Sequence, residues 1–346
     1  MPELTGQVDY VIGVDTHRDT HTAAAVDRVG GVLEGITVCT SQRGSKELLG
    51  FAQAAAPGKR CWAIEGTGIY GASLTRFLLA QGEWVVEVER PRRPARRRGK
   101  SDELDAIAAA REALAGEHLA APRMPGERAA MQMLLTLRRH LVQSKVRAIG
   151  LFKTLLVTAP DALRESLAPL STTEQVERAA RLHGRRTVED DTSVVVLRSL
   201  ARRILAMSTE AEELRARIGS LITALAPELL ARPGVGVLAG AQVFVAWSHP
   251  GRLRSEAAFA SLAGVAPIPA SSGQSRRYRL NRGGDRQLNC ALHTIVLTRL
   301  RCDPATRAYA SRRSAEGKTP REIKRCLKRY VARELFRLLE GGHQTA

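Results

Sequence analysis

The segment RRRGKSDELDA, residues 96–106, joins a run of positive charge to two aspartates three residues apart. Ser101 is a suitable N-cap residue and an alanine-rich apolar run follows it, so Asp102 and Asp105 are predicted to lie in the first turn of a helix. Residues i and i+3 share a helix face, and both carboxylates can therefore point in one direction. Acidic residues in a first turn also stabilise the helix dipole, which is the simpler interpretation. The alternative is a pair of ligands for a hard divalent cation, beside arginines that hold phosphates.

The composition indicates a polyanionic partner. The 346 residues include 53 Lys and Arg against 35 Asp and Glu, a formal net charge of +18, which is typical of proteins that bind DNA, RNA or an anionic membrane. No apolar run is long enough to cross a membrane and no secretory signal is visible, so we expect no membrane partner. Five scattered cysteines predict reduced thiols, and we expect a cytoplasmic, nucleoid-associated protein of bacterial type.

The first 126 residues are predicted to form an α/β domain. Three strand-like segments come first, at residues 8–15, 20–29 and 32–40. Helical and strand-like segments then alternate, and a basic loop precedes the helix that begins at Ser101. This order favours a mixed sheet with helices packed on it.

Two acidic residues stand at the ends of predicted strands. Asp15 ends the first strand, and Glu65 ends the fourth, directly before Gly66-Thr67-Gly68. Open α/β sheets bind ligands beyond the carboxyl ends of their strands, so these residues could meet Asp102 and Asp105. Four convergent carboxylates repel one another unless cations lie between them, and two Mg²⁺ ions would satisfy them. The alternative is that Asp15 and Glu65 are turn residues.

The surrounding motifs carry a family resemblance. GVDTHRD at residues 13–19, AIEGTG at 63–68 and GKSDELDA at 99–106 resemble the DEDD tetrad of a RuvC-like domain, which has the RNase H fold. The K-S-D-x-x-D-A form is similar to the DEDD transposases of insertion-sequence family one-ten, the bridge-RNA-guided recombinases. The resemblance implies that Asp15, Glu65, Asp102 and Asp105 hold Mg²⁺ or Mn²⁺. Arg18 stands where the family often has lysine, and the charge is retained.

Two histidines flank the first aspartate, and we interpret them differently from the carboxylates. His17 and His21 are predicted to be strand-edge residues, because Mg²⁺ prefers oxygen ligands to nitrogen.

Residues 127–226 are predicted to be a helical linker. One long helix runs to Pro160, and a polar connecting segment, with room for a short helix, follows at residues 161–192. From Leu197 to Leu225 apolar residues recur at alternating steps of three and four, which predicts a coiled coil. The sequence leaves open whether the two long helices pair within one chain or between subunits.

Residues 227–346 are predicted to form a mainly α-helical domain. Its small-residue loop beside arginines indicates a turn with phosphate-binding charge. LAGVAPIPASSGQS, at residues 262–275, resembles the C-terminal transposase domain of the same family, whose nucleophilic serine directly precedes a glycine. Ser272 is the matching residue, with Ser271 and Ser275 as alternatives.

Basic residues near both motifs are the predicted nucleic-acid contacts. They are Arg92, Arg93, Arg96, Arg97, Arg98 and Lys100 before the helical aspartates, and Arg276, Arg277 and Arg279 after the serines. For the first group the alternative is a solvated basic loop. For the second group we expect charge stabilisation at the phosphate.

The resemblance implies a site-specific DNA recombinase of a mobile element. It also implies a structured noncoding guide RNA, and a homo-oligomer, dimer or tetramer, in which the tetrad of one subunit meets the serine domain of another. Two alternatives remain open. One is a metal-dependent junction nuclease without serine chemistry, and the other is a non-catalytic nucleic-acid-binding protein.

Overall fold

The computed structural model describes residues 4–88, 101–116, 119–184, 187–270, 278–279 and 281–341. The chain divides into two compact units: unit 1 is residues 1–125 with 248–254, and unit 2 is residues 126–247 with 255–346. The finer division into domains 1–126, 127–226 and 227–346 stays a prediction.

Unit 1 is built on a five-stranded mixed sheet. The strands are β1 (Tyr10–Thr16), β2 (Thr20–Asp27), β3 (Val32–Cys39), β4 (Arg60–Glu65) and β5 (Trp84–Val88). Their order is β3-β2-β1-β4-β5, with β1 antiparallel to β2 and parallel to β4. The helices are α1 (Gln42–Ala55), α2 (Ala72–Ala80) and α3 (Asp102–Ala115). The α/β prediction for this part of the chain is confirmed.

The central strands are apolar on both faces because helices cover both sides of the sheet. One face packs on α1 and α2 through Ile12, Val14, Trp62, Ile64, Leu48 and Leu74. The other face packs on α3 through Val11, Cys61, Ala63, Ala109, Ala110 and Ala113. Alternate residues of a strand point to opposite faces, so each strand residue can be assigned to the α3 side or to the α1/α2 side.

Unit 2 is almost entirely helical, as predicted. Its helices are α4 (Glu127–Val157), α5 (Asp161–Leu167), α6 (Thr172–Ala179), α7 (Val188–Leu225), α8 (Pro227–Leu230), α9 (Val237–Trp247), α10 (Glu256–Leu262), α11 (Arg286–Cys302), α12 (Pro304–Ala315) and α13 (Pro320–Gly341). A short antiparallel pair, β6 (Ile268–Pro269) with β7 (Tyr278–Arg279), follows α10. None of the helices that the structure describes is long and apolar enough to cross a membrane.

The two long helices, α4 and α7, pack against each other within the chain. Six residues of the predicted spacing of three and four are buried in α7: Leu197, Leu200, Ile204, Ala211, Leu214 and Ile218. Ala201 and Ile222, which lie outside that spacing, are buried as well. The two long helices thus pair within one chain.

The connecting segment at residues 161–192, predicted with room for a short helix, is more helical than the sequence indicates. Two helices, α5 and α6, occupy it, and α7 begins inside it at Val188. Leu163, Leu167 and Val176 are buried in one cluster with the end of α4 and the start of α7. The charged outer faces of these short helices conceal the apolar residues in the sequence. The capping box of Ser171 and Glu174 was the available signal.

Candidate metal centre and basic cleft

The first turn of α3 forms as the sequence predicts. Ser101 is the N-cap, and its hydroxyl oxygen accepts a hydrogen bond of 3.2 Å from the Leu104 backbone N–H. Asp102 and Asp105 therefore lie at the start of the helix. Ala106 and Ala109 follow Asp102 and Asp105 by four residues each, so they share a helix face with them, and both alanines are buried against the sheet. The two aspartates thus extend the sheet-facing stripe of α3 beyond the sheet.

The strand-end carboxylates belong to the same side of the sheet. Asp15 follows Val11 and Gly13 on the face that α3 covers, and its side chain is only 9% exposed. Glu65 follows Cys61 and Ala63 on that face of β4, and the parallel register pairs Val14 with Ile64, one residue earlier on each strand. Alternation therefore directs both carboxylates toward the α3 side.

A hydrogen bond joins the two strand ends directly. The Thr16 hydroxyl donates to the Glu65 backbone oxygen over 2.9 Å. This bond ties the end of β1 to the end of β4, so the backbone that carries Asp15 is held beside the backbone that carries Glu65.

Asp15 and Asp102 converge on one point together with His17. The His17 Nδ1 atom lies 3.6 Å from an oxygen of Asp15 and 4.0 Å from an oxygen of Asp102. One ligand atom from each of the three residues lies within 4.8 Å of the other two. Glu65 ends the adjacent strand and Asp105 lies one helical turn after Asp102, but neither belongs to this group of three. Carboxylate oxygens and an imidazole nitrogen are metal-ligand chemistry, so these residues fit a divalent cation.

The two histidines differ in their placement. His17 directly follows the end of β1, as predicted for a strand-edge residue, and it lies two residues after Asp15 with its Nδ1 atom near the oxygens of Asp15 and Asp102. The spacing of two residues between Asp15 and His17 was the sequence signal that the two side chains could lie together. His21 pairs with Thr16, and therefore lies on the α1/α2 side of the sheet, where burial lowers its pKa.

The structure does not describe most of the predicted basic contacts or the serines. Arg92, Arg93, Arg96, Arg97, Arg98, Lys100, Ser271, Ser272, Ser275, Arg276 and Arg277 lie outside the described residues. Arg279 is described, and it is exposed on β7.

Arg279 lines a basic cleft in unit 2 that sequence reasoning did not identify. The cleft has a volume of about 740 Å³ and lies among the loop after α10, the start of α11, and helices α12 and α13. Its lining includes eight basic side chains: Arg279, Arg282, Arg286, Arg313, Lys318, Arg325, Lys328 and Arg329. Glu322 is the acidic residue of the described lining. Its carboxylate caps the start of α13, where it accepts a hydrogen bond of 2.9 Å from the Thr319 backbone N–H.

Partly buried hydrogen bonds connect the elements that form the cleft. The Lys328 ammonium donates to the Asn289 side-chain oxygen over 2.9 Å, and the Asn289 amide donates to the Ala263 carbonyl over 2.7 Å. These bonds link α13, α11 and the loop after α10. Burial, together with the nearby Arg325, lowers the pKa of Lys328. Desolvation and a nearby like charge both disfavour the charged ammonium, and a bound anion would oppose this effect.

Comparisons with known proteins agree on one family. Residues 12–159 match a model of DEDD transposases of the IS110 type, and residues 226–311 match the transposase IS116/IS110/IS902 family. A protein of insertion element IS110 from Streptomyces coelicolor is 36% identical over 151 residues, which are 43% of this chain and 37% of that protein. A protein of insertion element IS900 from Mycobacterium paratuberculosis is 27% identical over 88% of this chain and 89% of its own length.

A third relative also matches most of the chain. A protein of insertion element IS116 from Streptomyces clavuligerus is 24% identical, over 88% of each chain. The two family models match both units, and the first one covers the motifs of Asp15, Glu65, Asp102 and Asp105. This chain belongs to the IS116/IS110/IS902 family of transposases.

Proposed function

We propose that this chain cuts and rejoins DNA at the ends of a mobile insertion element, using a metal-binding carboxylate site and a serine nucleophile. Asp15, Glu65, Asp102 and Asp105 hold Mg²⁺ or Mn²⁺ in this proposal. The observation that carries it is the convergence of Asp15 and Asp102, which are 87 positions apart in sequence, with His17 as a third ligand-type side chain. Family membership supports the transposase activity.

We infer an RNase H-like, RuvC-like fold for unit 1. Three antiparallel strands followed by two parallel ones, with carboxylates at the ends of β1 and β4 and at the start of α3, support this inference. The inferred coiled coil of α4 and α7 is supported by their mutual packing and by the apolar spacing of α7.

Two groups have separate chemical roles in the proposed reaction. A divalent cation bound by the carboxylates supplies Lewis-acid stabilisation of charge on the reacting phosphate oxygens. The Ser272 hydroxyl attacks the scissile phosphorus, a Ser272 Oγ–P bond forms, a deoxyribose oxygen leaves, and the serine proton passes to a base. The phosphoserine ester keeps the energy of the broken bond for the later rejoining of strands.

The proposed partners follow from charge and from the family. The basic cleft in unit 2 binds the phosphodiester backbone of DNA, because no aromatic side chain lines its described part for base stacking. A structured noncoding RNA supplies sequence specificity, and a homo-oligomer, dimer or tetramer, assembles the tetrad of one subunit with the serine of another. The protein works at the bacterial nucleoid, in the cytoplasm.

A trap for the covalent intermediate tests the proposal. The protein is incubated with element-end DNA, the flanking noncoding RNA and Mg²⁺ or Mn²⁺, and protein–DNA adducts are resolved on a denaturing gel. We expect an adduct with the wild type that is lost in Ser272→Ala and in Asp102→Asn. Glu103→Gln is the matched control, because it removes the same charge from the same helical turn and should keep the adduct. Ser271→Ala and Ser275→Ala should also keep it.

One other function accounts for the same carboxylate geometry. A junction nuclease of the RuvC type would cleave through water and leave free ends. Cleavage that needs Asp102 but proceeds without any adduct, and is unchanged in Ser272→Ala, would replace the serine mechanism with this one.

The salt dependence of DNA binding tests the cleft. Each phosphate contact that is lost lowers the slope of log K against log salt concentration by about 0.7–0.9. We therefore expect Arg282→Ala with Arg329→Ala to lower the slope by about 1–2. Arg217→Ala, on the exposed face of α7, should not change it, and equal slopes in all three proteins would exclude the cleft as a backbone site.

A further inference from the structure

The His17 side chain has a feature that the proposed carboxylate site does not explain. Its Nδ1 atom is buried from solvent and has no hydrogen-bond partner within the described part of the chain. The distance of 3.6 Å to Asp15 is longer than the 2.7–3.2 Å of an N–H···O hydrogen bond. A buried polar atom without a partner costs free energy, and a bound ligand would remove that cost.

The three ligand atoms lie close enough together to share one cation. In an octahedral site with bonds of about 2.1 Å, adjacent ligand atoms lie about 3.0 Å apart and opposite ones about 4.2 Å apart. The distances from His17 Nδ1 to Asp15 and Asp102, 3.6 and 4.0 Å, fall between these values. The fold itself places these residues, because Asp15 is the penultimate residue of β1, His17 directly follows that strand, and Asp102 begins α3.

We propose that His17 Nδ1 is a ligand of the same cation as Asp15 and Asp102, and that this nitrogen makes the site favour Mn²⁺ over Mg²⁺. The inference rests on the proposed metal site and specifies its donor set. Mg²⁺ selects oxygen ligands, whereas imidazole binds first-row transition ions well, so replacing one oxygen with nitrogen shifts the preference. His17 is then a metal ligand of this chain in addition to the four carboxylates.

The test detects the nitrogen atom that would bind the cation. Mn²⁺ alone is added to the full-length protein, and electron spin-echo envelope modulation detects the ¹⁴N nucleus of a coordinated imidazole. We expect this coupling in the wild type and in His140→Gln, a control on the surface of α4. We expect no coupling in His17→Asn, whose side-chain oxygen can occupy the place of Nδ1 and keep a ligand there.

Binding measurements separate the possible results. His17→Ala should weaken Mn²⁺ binding at least about tenfold, because even residues that only support ligands cost 10–100-fold. In His17→Asn, less Mg²⁺ should suffice to displace Mn²⁺ than in the wild type. Circular dichroism should be unchanged, since the His17 side chain is 41% exposed.

Two results would overturn the inference in different ways. If Mn²⁺ binding is lost in Asp15→Asn but the ¹⁴N signal is absent, or persists in His17→Asn, His17 is not a ligand and the carboxylate site stands. If Mn²⁺ binding is insensitive to both Asp15→Asn and Asp102→Asn, the proposed metal site fails as well.

Discussion

Gly13 of β1 and Ala106 of α3 meet so closely that no side chain fits between them. A Cβ atom on Gly13 would lie 2.0 Å from the Ala106 carbonyl oxygen and 2.7 Å from the Ala110 nitrogen. Gly13 precedes Asp15 by two residues on the same face of the strand, and Ala106 follows Asp102 by one helical turn. The absence of a side chain at Gly13 therefore sets how closely the helix that carries Asp102 approaches the strand that carries Asp15.

Gly13→Ala should destabilise unit 1 and weaken metal binding together. The added methyl group must push α3 away from β1, and overpacking of this kind costs about 1–3 kcal/mol. Thermal unfolding followed by circular dichroism, and Mn²⁺ titration below the melting temperature, measure the two effects. The control is Gly50→Ala in α1, where no atom lies within 4 Å of the added Cβ. That change should stabilise the helix by up to about 1 kcal/mol.

Glu65→Gln should weaken Mn²⁺ binding and slow DNA cleavage. The side chain lies on the α3 face at the end of β4, next to the strand end of Asp15, and its negative charge is needed there if it is a ligand. Loss of several kcal/mol of charge stabilisation corresponds to about a hundredfold or more in rate. Glu47→Gln, exposed on α1, is the control for the change of net charge. Wild-type affinity and rate in Glu65→Gln would remove Glu65 from the site.

The Glu83 carboxylate should make unit 1 more stable at neutral pH than in acid. It accepts hydrogen bonds of 2.8 Å from the Arg60 Nε atom and from the Trp62 indole nitrogen. Burial acts to raise the pKa of Glu83, but the bonds from Arg60 and Trp62 outweigh it and hold the pKa below the usual 4.5. The stabilisation is therefore present above pH 4.5 and is lost as the pH falls through the lowered pKa.

The comparison with Glu83→Gln isolates that effect. The variant should be less stable at pH 7 by about 1–3 kcal/mol, since Arg60 loses a charged partner. The difference from the wild type should shrink as the pH falls below 4.5, in urea unfolding followed by tryptophan fluorescence. A constant difference over that range would contradict the ion pair.

Cys61 should resist alkylation while the exposed cysteines react. It is buried under α3, and burial raises the pKa of its thiol to about 12, so almost no thiolate is present at pH 8. Iodoacetamide followed by peptide mass spectrometry should label Cys39, Cys290 and Cys302, which are exposed, and leave Cys61 unmodified until urea is added. In Gly13→Ala the labelling of Cys61 should become faster, because α3 no longer packs closely on β4. Rapid labelling of Cys61 in the native wild type would show that this core opens readily.

Local sequence determined the elements that carry the candidate site. A window of a few residues is enough to predict each of them. The β-branched residues of β1 predict a strand that ends near Asp15, and the Ser101 cap predicts a helix that begins at Asp102. The four carboxylates could therefore be placed at the ends of the right elements. The helices α5 and α6 were less visible, because their apolar residues pack on α4 and α7 and only the fold shows that they are buried.

The tertiary structure alone decided which ligand-type side chains meet. The sequence could assign Asp15 and His17 to a strand end, but whether His17 or His21 approaches Asp102 depends on which sheet face α3 covers. That choice is made by packing between distant segments: Gly13 and the small residues of β4 accept α3 on one side, while Trp62 and Ile64 pack on α1 and α2 on the other. The basic cleft likewise joins residues from α11, α12 and α13 that share no local pattern. Spacing along the chain determines which face of its own helix or strand a residue occupies. Which residues of two elements come into contact depends on how the surfaces of both elements fit together.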